Sequence, residues 1–192
     1  MGFPRIKGRD DKGFSLIELI VIVCIIGVLA AIAIPAWSNW LPNYRLKKAA
    51  RDLYSNLQRA RVGAIKNNEY WGIFFDKAGS RYSIYSLGPN RQWDSGGGDD
   101  VLQNITINLS DYEDVAYGWG NATKDIEGNP FGSGDEITYA SPSNVVVFTY
   151  RGTVVNPGYV YLKNNKGSAY GIGTPSPAGV IIMRRYDGSA WQ

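Results

Sequence analysis

Lys12-Gly13-Phe14-Ser15-Leu16-Ile17-Glu18 opens an apolar run that continues to Trp37, and Glu18 is the only charge between Phe14 and Trp37. At 1.5 Å per residue, residues 14–35 make about 33 Å of helix, enough to cross a hydrocarbon core. The apolar residues occupy every helical face, as contact with lipid requires. A carboxylate in such a span costs at least ~2.5 kcal/mol on insertion scales, so Glu18 calls for a partner. Pro35 and Gly27 are tolerable in a membrane helix and mark places where it can kink or unwind. Trp37 and Trp40 fall where the helix reaches the far interface, the usual position of an aromatic belt.

Outward from this span, residues 1–13 form a short polar leader with four basic and two acidic side chains. Residues 38–68 carry seven basic side chains against Asp52 alone, and from Glu69 onward nine basic residues face thirteen acidic ones. The neck is therefore strongly basic and the rest mildly acidic. Basic residues flank the span on both sides, so charge counting does not fix its orientation. The sole cysteine, Cys24, lies in the apolar run, which rules out an intrachain disulfide. With no histidine in the chain, zinc chemistry and Ser-His-Asp catalysis are disfavoured. The Ser, Asp and Glu residues form no recognisable nucleophile–base constellation, so no enzyme activity and no cofactor are expected.

Beyond Pro42, Leu46, Ala50, Leu53, Leu57, Ala60 and Ala64 recur at three- and four-residue spacing among basic residues. This predicts an amphipathic helix with one narrow apolar stripe, ending near Asn67-Asn68. Short β-prone runs follow at 70–76, 82–87, 101–109, 136–140, 144–150, 158–163, 169–173 and 179–186. Residues 77–80 read as a hairpin turn and 164–167 as another, with loops at 95–100 and 118–134. The expected fold is α+β: a long N-terminal helix, transmembrane in its first half and amphipathic in its second, packed on an antiparallel β-sheet head. The expected divisions are 1–13, 14–37, 38–68 and 69–192.

A basic leader before an apolar span is compatible with a plain signal anchor, or with a cleaved secretory signal whose small residues are Ala31-Ile32-Ala33 or Ala33-Ile34-Pro35-Ala36. Glu18 in the apolar core and the length of the run oppose the secretory signal. Gly13-Phe14-Ser15-Leu16-Ile17-Glu18, with the run ending Ala30-Ala31-Ile32-Ala33-Ile34-Pro35, resembles the N-terminus of type IV pilins and type II secretion pseudopilins. The resemblance implies cleavage between Gly13 and Phe14 by a membrane prepilin peptidase, whose family also methylates the new amine of Phe14. It further implies that Glu18 pairs with that amine on a neighbouring pilin or pseudopilin subunit. The implied location is a bacterial inner membrane, with the head in the periplasm. The competing reading of Glu18 is a carboxylate that snorkels to the interface.

The neck, with Ala60-Arg61 and then Ala64-Ile65-Lys66 leading into the first strand, is similar to the minor pseudopilin group called GspH/FimT, as is the turn Arg151-Gly152-Thr153-Val154. This implies a filament subunit, of a type II secretion pseudopilus or, alternatively, of a type IV pilus with a role in DNA binding and uptake. Lys163, Lys166, Arg184 and Arg185, with Tyr186 and Trp191 interleaved, are candidate nucleic-acid contacts. Against this, Gly179 is followed by Val180-Ile181-Ile182 where DNA-binding members of the group tend to carry arginines. A solvated strand end is the favoured reading. The acids Asp94, Asp99, Asp100, Asp111, Glu113, Asp114, Asp125, Glu127, Asp135 and Glu136 invite a calcium reading but lack EF-hand spacing and read as solubilising, so no metal is expected.

Overall fold

In a computed structural model of the protein, residues 13–139 and 144–192 are described. The chain divides into two compact units, Met1–Asn39 and Trp40–Gln192. Helix α1 spans Leu16–Asn67 and so contributes to both.

In the first unit, α1 starts where the Ser15 carbonyl accepts the Leu19 N–H at 3.1 Å, with Glu18 in the first turn. An acidic side chain there faces the positive end of the helix dipole. Leu16–Ile34 is long and apolar enough to cross a membrane, with a mean hydropathy of 3.1 and no part of it buried in the protein. Apart from Gly13, the expected leader lies outside the described residues.

In the second unit, the remainder of α1 turns one face to the head. Leu46, Ala50, Leu53, Leu57, Ala60 and Ala64 are fully buried, joined by Ala49. Small residues at half of these positions let the helix backbone sit close to the sheets. The helix stops because Asn68 takes a left-handed conformation (φ 55°) and the Glu69 N–H turns back to the Ala64 carbonyl at 3.1 Å. Asparagine is among the few residues besides glycine that adopt this cap readily.

The head is antiparallel throughout, divided into two four-stranded sheets. The first has the order β3-β2-β1-β5, from β1 (Trp71–Asp76), β2 (Arg81–Ser86), β3 (Val101–Asn108) and β5 (Val145–Phe148). The second has the order β4-β6-β7-β8, from β4 (Ala116–Tyr117), β6 (Gly158–Lys163), β7 (Ala169–Thr174) and β8 (Ile182–Arg185). Ile73, Phe75, Tyr82 and Ile84 of the first sheet and Val160, Leu162, Tyr170 and Ile172 of the second join the α1 stripe in one core. Both sheets are also covered on the far side by loops. Trp93 stacks on Phe74 (5.2 Å) and meets Tyr85 edge-on (4.9 Å) over the first. Phe131, stacked on Trp119 at 4.5 Å, meets Tyr161 edge-on at 5.0 Å over the second.

Three expectations need correction. The run 136–139 is not a strand. It bridges β6 only at Ile137–Val160, because the same edge of β6 is taken at Leu162 and Lys163 by β4, a two-residue strand too short to be read from periodicity. Residue 140 of that expected run lies outside the described residues. The run expected at 179–186 is regular only over Ile182–Arg185. Gly179 has φ +73° and its Cα faces the Gly152 carbonyl so closely that a Cβ would lie 2.1 Å from it, which makes this stretch a turn. Finally, β5 ends at Phe148 because Thr149–Thr153 closes a tight turn, Thr149 N–H to Thr153 carbonyl at 2.9 Å.

Candidate assembly site and the basic head surface

Gly13, Phe14 and Ser15 precede the helix in irregular backbone, and all three are exposed. Nothing lies within 4 Å of the position a Gly13 Cβ would take, and Phe14 is 78% exposed. The Gly13–Phe14 peptide bond is thus accessible and outside regular structure. Glu18 sits four residues after Phe14, in the first turn of α1, and is also exposed. Its neighbours Ile17, Leu19, Ile20, Val21 and Ile22 are exposed aliphatics. Among the described residues no cation pairs with Glu18. One chain therefore presents an apolar surface with a single exposed carboxylate that no described cation neutralises.

The four basic residues singled out on the head are exposed but do not converge. Arg184 and Arg185 are consecutive in β8 and so point to opposite faces. Arg185 stands opposite Tyr170, a core residue, and lies on the α1 side of the sheet. Arg184 stands opposite Gly171, in a row with Tyr161 on the outer side. Lys163 is on that outer side too, its aliphatic stem crossing Gly118. Lys166 is in the β6–β7 turn, where its N–H donates to Asn164 Oδ1 at 3.0 Å.

Two of the loop acids are held by neighbouring backbone N–H groups. Asp100 accepts from the Asp94 and Gly96 N–H groups at 2.7 and 3.0 Å, and burial raises its pKa. Asp125 accepts from the Glu127 and Asn129 N–H groups at 2.9 and 2.8 Å. Among the described residues no three acidic or sulfur ligands converge to hold a metal.

The polar ties between α1 and the head were not legible as sites. Tyr112 Oη donates to Asp52 Oδ2 at 2.7 Å, and Asn56 Nδ2 donates to Tyr82 Oη at 3.0 Å. Desolvation, then the bond to Asp52, pushes the Tyr112 phenol up. Arg61 Nε donates to the Gly152 carbonyl at 2.9 Å, and Asn43 Oδ1 accepts from Asn164 Nδ2 (2.9 Å) and Ser168 Oγ (2.8 Å). Two signals existed: Asp52 is the only acid of the neck, and Asn43 continues the apolar stripe one turn before Leu46. A polar residue on a buried face needs a partner.

Comparison with known proteins gives a consistent picture. The profile of the type II transport protein GspH matches residues 49–174, most of the chain, and the prokaryotic N-terminal methylation motif matches residues 8–34. The pilin-like protein PilA1 of Thermus thermophilus is 36% identical over 88 residues, 44% of this chain and 54% of that one, so the chain spans about half the length of this relative. The minor pseudopilin EpsH of the Vibrio cholerae type 2 secretion system superposes with a TM-score of 0.50 at 13% identity, over 72% of this chain and 95% of its own. The type IV minor pilin FimU of Pseudomonas aeruginosa also gives 0.50, at 17% identity, over 80% of this chain and 96% of its own.

Proposed function

The chain belongs to the GspH family of minor pilin and pseudopilin-type subunits, and from that premise we propose that it is a structural subunit of a type II secretion pseudopilus. Residues 1–13 are a leader removed between Gly13 and Phe14, and the new Phe14 amine is methylated. Residues 14–37 form the part of the helix that enters first the inner membrane and then the filament core. Residues 38–68 are the amphipathic segment that carries the head, 69–192, on the periplasmic side. The observation that carries the proposal is the family match over residues 49–174, which takes in the second part of the neck and most of the head and not the apolar N-terminal span.

Assembly follows from the physics of Glu18. The carboxylate is costly in the bilayer, and a positive amine on the next subunit offsets that cost only when the two helices lie side by side. Stored subunits are thereby driven toward the filament. The machinery implied comprises the prepilin peptidase and methyltransferase and the neighbouring pilin or pseudopilin subunits. No step in it requires catalysis by this chain.

A second reading, a minor pilin of a type IV pilus with a role in DNA uptake, is supported by the 36% identity to a pilin-like protein. Deleting the gene separates the two. Loss of exoprotein secretion with pilus functions intact supports the pseudopilus, and loss of piliation or DNA uptake with secretion intact replaces it with the pilus reading. Mass spectrometry of membrane-extracted protein tests the processing: a chain starting at methylated Phe14 is expected. One starting beyond position 30 would mark a secretory signal and end both readings.

A further inference from the structure

Where α1 meets the second sheet, in the unit Trp40–Gln192, a cleft of about 360 Å³ opens between Trp40, Asn43, Tyr44 and Lys47 on the helix, Ser168 in the β6–β7 turn and Arg185 on β8. Residues 40, 43, 44 and 47 share one helical face by their spacing of three and four. Arg185 reaches the same cleft because its register opposite Tyr170 puts it on the helix side of β8. Lys47 and Arg185 are both exposed, and neither has an ion-pair partner among the described residues. None of the residues lining the cleft is acidic. Asn43 spends its oxygen on Asn164 and Ser168, which fixes the side chain and leaves its amide N–H groups without a described acceptor. Trp40 and Tyr44 stack at 5.0 Å, and the two residues are 56% and 51% exposed.

An ammonium, a guanidinium and an amide around one opening suit a phosphate group. Stacked Trp and Tyr rings suit the boundary between acyl chains and headgroups. Trp40 follows Ile34, the end of the apolar span, by only six residues. We propose that this cleft binds the phosphate headgroup of an anionic phospholipid in the leaflet on the head's side. The head is held at the membrane surface until the subunit is extracted into a filament. Arg185, with its neighbour Arg184 on the other face, then serves lipid contact and not a shared nucleic-acid patch.

The inference rests on Leu16–Ile34 lying in the bilayer. Carbonate extraction checks that separately: a chain washed out by carbonate refutes the membrane reading and the lipid site with it, whereas a retained chain with no preference for anionic lipid refutes the lipid site alone. The test uses the full chain in phosphatidylcholine vesicles carrying trace spin-labelled phosphatidylglycerol or phosphatidylcholine. The motionally restricted fraction of each label reports association with the protein. A basic residue near an anionic surface shifts association about fivefold, so a preference for phosphatidylglycerol of about fivefold or more is expected. Lys47→Gln with Arg185→Gln should bring the two lipids to parity, and unchanged tryptophan emission shows that the variant is folded. Three results would overturn the proposal: parity in the parent chain, an undiminished preference in the variant, or loss of the preference in 10 mM inorganic phosphate, which would mark a site for a soluble anion.

Discussion

The two parts of α1 obey different solvents. Along Leu16–Ile34 no residue is buried by the protein's own fold, and every face is apolar apart from Glu18. Along residues 40–67, by contrast, eight residues on one face are buried and the remainder is largely polar. The second pattern is that of a helix whose stability comes from a core within the same chain. The first has no such core, so its apolar surface is satisfied by lipid or by other subunits. A substitution should therefore register in the head's own unfolding when made in the second part, and in insertion or assembly when made in the first.

The largest contrast is expected from matched leucines. Leu53→Ala removes a fully buried side chain from the junction of α1 and both sheets and should destabilise the head by about 2–5 kcal/mol. Leu29→Ala, at a residue 61% exposed, should leave the unfolding midpoint unchanged. Denaturant titration followed by tryptophan emission reads both.

The two helical glycines give a smaller difference. A Cβ at Gly63 would lie 2.6 Å from the buried Trp71 ring, whereas one at Gly27 would meet nothing within 4 Å. Alanine is intrinsically better than glycine in a helix by about 1 kcal/mol. At Gly63 the displaced indole should outweigh that gain, for a net loss of about 1 kcal/mol. Gly27→Ala should be silent in head unfolding, and any defect in filament incorporation would show that neighbouring helices approach closely there.

The smallest effect concerns the β1–β2 hairpin, well away from the span. Asp76 accepts from the Gly79 N–H (2.8 Å) and then from Arg81 Nε (2.9 Å), and these bonds lower its pKa. A carboxyl whose folded pKa is depressed stabilises the fold above its unfolded pKa, and loses that contribution as pH falls through its folded pKa. Because the pair is at the surface, Asp76→Asn should cost only a few tenths of a kcal/mol at pH 7. That difference should shrink as pH falls below the ordinary aspartate range and the Asp76 carboxyl takes up its proton.

How much of this could be read from the sequence depended on how local each signal was. The span, the single carboxylate and the stripe of Leu46, Leu53 and Leu57 are periodic features within one helix, and the helix end at Asn67 follows from the two asparagines. The division of the head into two sheets is not local. It depends on which strand takes each edge of β6, and β4, at two residues, carries no periodic pattern. The basic residues of the head group as a strand end beside a turn when read from the sequence, but alternation along β8 sends Arg184 and Arg185 to opposite faces. The ties from Asn43, Asp52 and Arg61 link residues from 60 to 125 positions apart, beyond the reach of any window along the chain.

The claim on which the rest depends is that Glu18 needs a positive partner from another subunit. Its most direct test is the fraction of mature Glu18→Leu chain that co-purifies with cross-linked neighbouring subunits, compared with the parent. The account predicts normal membrane insertion and leader removal with at least a tenfold loss of incorporation, about 1.4 kcal/mol or more. A Glu18→Leu chain incorporated as fully as the parent would contradict it.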